Sequence, residues 1–483
     1  MKINWLAVVK ILSVLLILVG ILMWTSLFFS FYFGGEDADA IGLSGLTCVL
    51  PGLLGYALSR HQSGGIRKRE GYLIVALGWL TMTAFGMLPY LFSGVIPEVP
   101  KALFESISGM TTTGASVLTD IESTPKGILF WRSLTQWIGG MGIIVLTVAI
   151  FPLLGFGGIE LFVAEAPGPT SDKIHPRIRE TAKRLWLIYV GLTVCLGAIL
   201  WLMGMNLYES INHALTTMAT GGFSTRNASM MAFGPSIQYV VIFFMFLAGV
   251  NYSILYFSLK GRWKDVWRSD ELRAYLGLIA FLAIGVTAAL FSAGAYSLEQ
   301  SFRNGLFQIV SLITTTGFVS ADYSQWSAGL QMLFFLLLFA GACAGSTSGG
   351  IKVVRHLVFF KNSLLEFKRI LHPHAIVPLR ISGEAVRGRV ITHVIIFLLV
   401  YLAIYAIGVV VLAVFGLDFS TALGGMATCL GNVGPGMGEL GPVDNFSQLG
   451  PGTHLFLCFV MILGRLELFT ILVLFMPYFW RLN

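Results

Sequence analysis

Residues 314–318 read Thr314-Thr315-Thr316-Gly317-Phe318, and residues 111–114 read Thr111-Thr112-Thr113-Gly114. Each phrase directly follows a short apolar run, at 302–313 and 102–110. Two looser versions complete the set: Thr220-Gly221-Gly222 after 208–219, and Asn432-Val433-Gly434 after 420–430. All four have the same neighbours, a long apolar segment before the short one and another after the glycine. A recurring phrase in a recurring setting points to one structural unit used four times.

The setting is a membrane. The chain has 483 residues, 56% hydrophobic and 11% charged, with mean hydropathy +0.81. A soluble protein carries about a quarter charged residues. Apolar stretches near 20 residues long, enough to cross a bilayer as helices, lie at 11–33, 41–58, 72–91, 128–154, 185–203, 239–259, 275–292, 330–354, 390–415 and 455–479. The first is read as a retained span, because it is long for a secretory signal and acids surround the cleavage-like Ala38-Asp39-Ala40. An all-α polytopic membrane protein with ten spans is therefore expected, and a soluble enzyme is excluded. The cysteines Cys48, Cys195, Cys343, Cys429 and Cys458 show neither metal-ligand nor pairing spacing.

Charge sets the orientation. Basic runs fall at 60–69, 173–184, 260–273 and 352–389; placing them with both termini on one side collects roughly 25 of the 31 Lys and Arg there. That side is cytoplasmic by the positive-inside rule, and topology explains the basic loops better than nucleic-acid binding does. The opposite face holds roughly 13 acids against 5 bases, which concentrates cations. With the basic loops inside, each unit starts and ends on the cytoplasmic side. The repeats are therefore parallel rather than inverted, and parallel repeats suit four units around one axis. The expected organisation is two N-terminal spans at 1–70, then repeats at 71–184, 185–273, 274–389 and 390–483.

Short helices of this length cannot cross a bilayer, so they are read as re-entrant. Non-helical backbone at membrane depth must be buried or line a wet cavity. A cation shedding water needs replacement oxygens, which a ring of backbone carbonyls supplies. Glycine permits the positive φ that aims successive carbonyls inward, and threonine hydroxyls bond nearby backbone and add oxygen at the rim. The helix C-termini add partial negative charge at the centre, with Glu105, Glu209 and Glu299 expected near the opposite ends. The candidate ion filter is Thr112, Thr113, Gly114, Thr220, Gly221, Gly222, Thr315, Thr316, Gly317, Asn432, Val433 and Gly434.

With these tails in place the chain resembles the Trk/Ktr/HKT superfamily of potassium transporters, and within it the bacterial Trk-type potassium-uptake membrane subunit. The resemblance covers essentially the whole chain, including the two extra N-terminal spans. It implies one pore formed by four span–pore helix–span units, K+ bound in the filter, and residence in the bacterial inner membrane. It also implies a homodimer that docks a cytosolic ring of nucleotide-binding regulatory subunits. Gly114, where some sodium-preferring plant relatives carry serine, implies potassium.

Within 330–354 the segment Gly341-Ala342-Cys343-Ala344-Gly345-Ser346-Thr347-Ser348-Gly349-Gly350 interrupts a helix by composition. The resemblance makes it an intramembrane gate beneath the filter, with Gly341, Gly345, Ser346, Thr347, Gly349 and Gly350 as its residues and Lys352 near the cytoplasmic mouth. Arg465 lies inside the last span, where a charge needs a wet or paired location, and a pairing with Glu467 is weighed. The resemblance places this arginine on the conduction path as a barrier. His213 is read as packing or hydrogen bonding, and His372 and His374 as loop residues. No Walker-type phosphate loop is present, and the chain ends at Asn483, so nucleotide control is expected to need another chain. The alternative function is K+ symport coupled to H+ or Na+, which would need a mid-span acid; Glu467 is the one clear candidate.

Overall fold

The computed structural model describes residues 3–61, 68–150, 178–374 and 377–481. Among them regular structure is helical, apart from the antiparallel pair Arg380–Ile381 with Glu384–Ala385 and a bridge between Ala340 and Ile351. Six helices are long and apolar enough to cross a membrane: Trp5–Phe33, Ala38–Ser59, Arg69–Phe92, Ala182–Leu202, Asp270–Ser292 and Gly388–Val414. Two bent pairs raise the number to eight: Pro235–Ala248 with Tyr252–Leu259, and Pro451–Arg465 with Phe469–Phe475. Lys126–Ile150 and Ala328–Leu337 overlap the remaining two expected spans, at 128–154 and 330–354, but neither is among the helices long and apolar enough to cross. Parts of the basic runs at 60–69, 173–184 and 352–389, and residues 151–154, lie outside the described residues.

The bilayer supplies no hydrophobic drive between helices, so close backbone approach must hold them together. Small residues provide it. Trp5–Phe33 and Ala38–Ser59 meet where Trp24 Nε1 donates to Gly42 O at 3.2 Å, and a Cβ on Gly45 would collide with the same indole.

Four short helices run Val99–Met110, Leu207–Met218, Leu298–Ile313 and Phe419–Gly431. Each start has a local cause. Pro100 occupies the first turn of the first, where no backbone donor is lost. Asn206 accepts from Glu209 N in the second, and Ser297 forms a capping box with Gln300 in the third. Asp418 accepts from the Ser420 and Thr421 amides in the fourth, while the Ser420 hydroxyl donates to it at 2.6 Å. Hydrogen bonds from Ser420 and Thr421 hold the Asp418 carboxyl down at about 2. Its contribution to the cap is thus present above the ordinary carboxylate range and is lost as pH falls through about 2.

In one respect the sequence reading needs correction. It takes 128–154, 239–259 and 455–479 as continuous, yet the structure breaks the second span of every expected unit. Gly142 has φ +62 within Lys126–Ile150. The second unit turns by 104° after Gly249, where the Asn251 side chain accepts from Ser253 N and caps a new helix. The third leaves helix between Leu337 and Val353. The fourth turns by 108° at Glu467 and Leu468, which have φ of +54 and +55. Helix length and hydropathy do not register such breaks, because the flanking residues remain apolar. Each break frees backbone groups at membrane depth, and the 341–350 segment takes up several of them.

Candidate functional site

The four short helices end identically. Backbone N–H groups of Thr113, Gly221, Thr316 and Val433 donate to Ser108, Thr216, Ser311 and Thr428 carbonyls, at 2.8, 2.9, 2.8 and 3.0 Å. These bonds reach back five residues, as in the Schellman motif, which needs a left-handed residue just before the donor. That residue is Thr112, Thr220, Thr315 and Asn432, with φ of +54, +53, +55 and +54. The closing glycines Gly114, Gly222, Gly317 and Gly434 are left-handed again, at +84, +78, +75 and +107, while the residues between are not. An alternation of left- and right-handed φ turns successive N–H groups to one side and carbonyls to the other.

The tails also meet. A Cβ on Gly114 would fall within 3.0 Å of the Gly221 carbonyl oxygen, one on Gly222 within that distance of Thr316 O, one on Gly317 of Val433 O, and one on Gly434 of Thr113 O. First touches second, second third, third fourth, and fourth first, so the contacts close a cycle. All twelve tail positions are thereby brought into one ring, and all but the half-buried closing residues Gly114, Gly222 and Gly317 are shielded from solvent.

Threonine hydroxyls hold the tails from the side. Thr111 Oγ1 and Thr113 Oγ1 lie 2.7 Å apart, and Thr314 Oγ1 and Thr316 Oγ1 2.8 Å. Asn432 Nδ2 donates to Thr113 Oγ1 at 3.0 Å and to Met461 O at 2.9 Å, joining the fourth tail to the first.

A single stripe on Lys126–Ile150 braces the second tail, using residues spaced along one helix face. Arg132 Nε pairs with Glu105 at 2.6 Å, Nη1 donates to Ser224 O at 3.1 Å, and the guanidinium lies 3.5 Å from the Phe223 ring centre. Gln136 sits one turn on, donating to Gly221 O at 2.6 Å and accepting from Phe223 N at 3.1 Å. Glu105 is therefore not near a helix start, as the sequence reading has it. The helix begins three residues earlier than its first apolar run, so Glu105 lies mid-helix, fully buried, also accepting from Val117 N and Ser116 Oγ. Glu209 and Glu299 do lie in first turns, paired with Arg226 and Arg303. Buried His213 is hydrogen bonded to Glu209 O and Ser224 Oγ.

Residues 341–350 lie directly against the left-handed ends of the tails. Gly349 N donates to Thr315 Oγ1 at 2.7 Å, and Thr220 Oγ1 to Thr347 Oγ1 at 3.3 Å. Thr347 Oγ1 also reaches Met218 O at 3.1 Å. The segment is held below by the broken second span, through Cys343 N to Gly249 O and Tyr252 N to Gly345 O, and by Glu271, which accepts from Ala344 N at 2.7 Å. Ser346 Oγ bonds within the segment, to Cys343 O and Ser348 Oγ. Gly341 N bonds Ile351 O, and Gly350 has φ +65. Lys352 folds back onto Ser348 O and Oγ.

Arg465 clamps this segment. Its Nη1 donates to Thr347 O at 3.0 Å, and its Nη2 to Gly139 O and, at 3.3 Å, to Gly140 O. It thus ties the fourth unit, the third unit's loop and the first unit's second span. Glu467, weighed as its partner, pairs with Arg355 across the fold, because the left-handed turn at 467–468 redirects it.

Residues 39–481 match the family model TrkH, described as a cation transport protein. The chain belongs to the TrkH family. TrkH-family proteins are transporters rather than enzymes, and the relatives agree over nearly their full lengths. The Trk system potassium uptake protein TrkH of Escherichia coli is 41% identical over 428 residues, covering 88% of each chain. That of Halomonas elongata is 38% identical, covering 98% of this chain and 99% of its own. The crystal structure of the potassium transporter TrkH from Vibrio parahaemolyticus superposes with a TM-score of 0.89 at 34% identity, covering 99% of this chain and all of the other.

Two features of the site escaped the sequence reading. Ser108, Thr216, Ser311 and Thr428 stand six residues before each closing glycine, a hydroxyl row that was readable from the alignment of tails. Gln136 had no local signal, because its partners lie more than 80 residues away.

Proposed function

We propose that this TrkH-family chain takes up potassium through one pore, with the ring of Thr113, Gly221, Thr316 and Val433 carbonyls as its ion filter. The observation that carries the reading is the closed cycle of contacts among the four glycine tails. A ring of backbone oxygens replaces the hydration shell of a monovalent cation without placing a fixed charge on it. The four helix C-termini add partial negative charge. The names of the relatives, potassium uptake proteins and a potassium transporter, supply the ion.

The four units at 71–184, 185–273, 274–389 and 390–483 form the quadrants, and the spans at 1–70 lie outside them. Residues 341–350 act as the gate, clamped shut by Arg465. The side bearing the short-helix starts faces outward, where Glu299, held low by its hydrogen bond from Arg303, and Asp418 keep their charge in acidic media and draw cations in. A homodimer and a cytosolic nucleotide-binding ring complete the assembly in the bacterial inner membrane, with the basic loops as the docking face.

The experiment is uptake of radiolabelled Rb+ and Na+ into liposomes containing only this chain. Rb+ is expected to exceed Na+ by about tenfold or more, driven by membrane potential alone. Equal uptake of the two ions overturns the filter, and a strict requirement for an opposing H+ or Na+ gradient overturns conduction in favour of symport.

A further inference from the structure

We infer that Gln136 is a specificity-determining positioning residue, which sets the ion preference by tethering one of the four ring carbonyls. The inference rests on the filter reading above and deepens it.

The four ring positions are not equivalent. Thr113 and Thr316 carry hydroxyls that bond to Thr111 and Thr314 in their own strands. Val433 has an apolar side chain. Gly221 has none, and the space is taken by Gln136 from the neighbouring unit: a Cβ on Gly221 would collide with the Gln136 carboxamide. That carboxamide is fully buried. Its orientation is settled by its partners, since Phe223 N must donate to Oε1, leaving Nε2 to donate to Gly221 O. Among the described residues, Gly221 O is the one ring carbonyl that receives a protein hydrogen bond; none reaches Thr113 O, Thr316 O or Val433 O.

Two consequences follow for an ion at the ring. The positive amide hydrogen occupies one lone pair of one of the four oxygens and offsets part of its negative potential, lowering the field the ion feels. The same bond, with the second one to Phe223 N, pins the strand on both sides of Gly222 and resists collapse of the ring. A smaller, more strongly hydrated cation needs a stronger field and shorter oxygen distances. Whether selectivity comes from fit or from field strength, the tether therefore acts against Na+.

The test compares Na+ and Rb+ uptake by liposomes containing the full chain with Gln136→Met, which keeps length and removes both hydrogen bonds. A second variant, Gln136→Ala with Gly221→Thr, fills the space with the hydroxyl pattern of the first and third units. A third, Gln136→Glu, retains the acceptor for Phe223 N and loses the donor when ionised. In the first two the Na+-to-Rb+ ratio is expected to rise about 5-fold, the factor that one neutral hydrogen bond represents. In the third it is expected to rise at alkaline pH and to return toward wild type as the buried carboxyl is protonated and donates again. A wild-type ratio in any variant that transports, or no pH dependence in the third, overturns the proposal. Loss of all three from the membrane makes Gln136 a structural residue and overturns it as well. A wild-type chain that fails to distinguish the ions strikes the filter reading instead.

Discussion

Gly222→Ala is expected to cut Rb+ uptake about 100-fold or more while leaving the chain in the membrane, because the ring cannot keep its shape around a methyl group. The added carbon would stand within 3.0 Å of Thr316 O, whereas carbon–oxygen contacts lie at about 3.3–3.6 Å. The third tail must shift, and its carbonyl is one of the four. Backbone strain adds to this, since φ of +78 costs an L-residue roughly 1–2 kcal/mol. The substitution is small and lies at the centre of the ring, far from the helix packing that holds the fold. Uptake assays beside quantification of membrane-inserted protein separate the two effects. Near-normal uptake by Gly222→Ala would mean that the ions do not pass this ring.

The second large effect runs the other way. Arg465→Ala is expected to raise Rb+ flux about 30-fold, the factor equivalent to about 2 kcal/mol, which is a low value for hydrogen bonds from a charged group. The wild-type guanidinium binds Thr347 O on the loop and Gly139 O and Gly140 O on the first unit's second span. Without it the loop keeps its contacts to Thr315 and Thr220 and loses its clamp. Arg465→Lys keeps the charge but cannot hold three carbonyls in a planar fork, so its flux should fall between the two. Stopped-flow or tracer flux at fixed membrane potential measures this directly. A flux in Arg465→Ala at or below that of wild type would remove the clamp from the mechanism.

Some of this architecture follows from local pattern and some does not. The long apolar segments, the short helices and the glycine-ended tails stand out because each is set by residues near in sequence. Glu105 shows how a boundary error propagates. Starting the first short helix at its apolar run made the acid a helix-start residue, whereas Pro100 in the first turn extends the helix and puts Glu105 in the buried core opposite Arg132. The left-handed positions were hidden for a different reason. Schellman ends usually carry glycine or asparagine at the left-handed position, but here three of the four are threonine. For two of the three the hydroxyl helps sustain the strain, since Thr220 bonds Thr347 and Thr315 accepts from Gly349 N, whereas Thr112 Oγ1 is buried with no hydrogen-bond partner among the described residues. The bends at 249–251 and 466–468 and the reach of Gln136 arise only when four units close on one another.

The central claim is that a dehydrated monovalent cation sits on the axis of this ring. Anomalous diffraction from crystals of the chain grown with Tl+ or Rb+ in place of K+ tests it most directly. A peak centred between the carbonyls of Thr113, Gly221, Thr316 and Val433, and weakened in Gly222→Ala, is the predicted result. Ordered tails with no heavy-ion peak between them, and peaks at some other place in the fold, would contradict it.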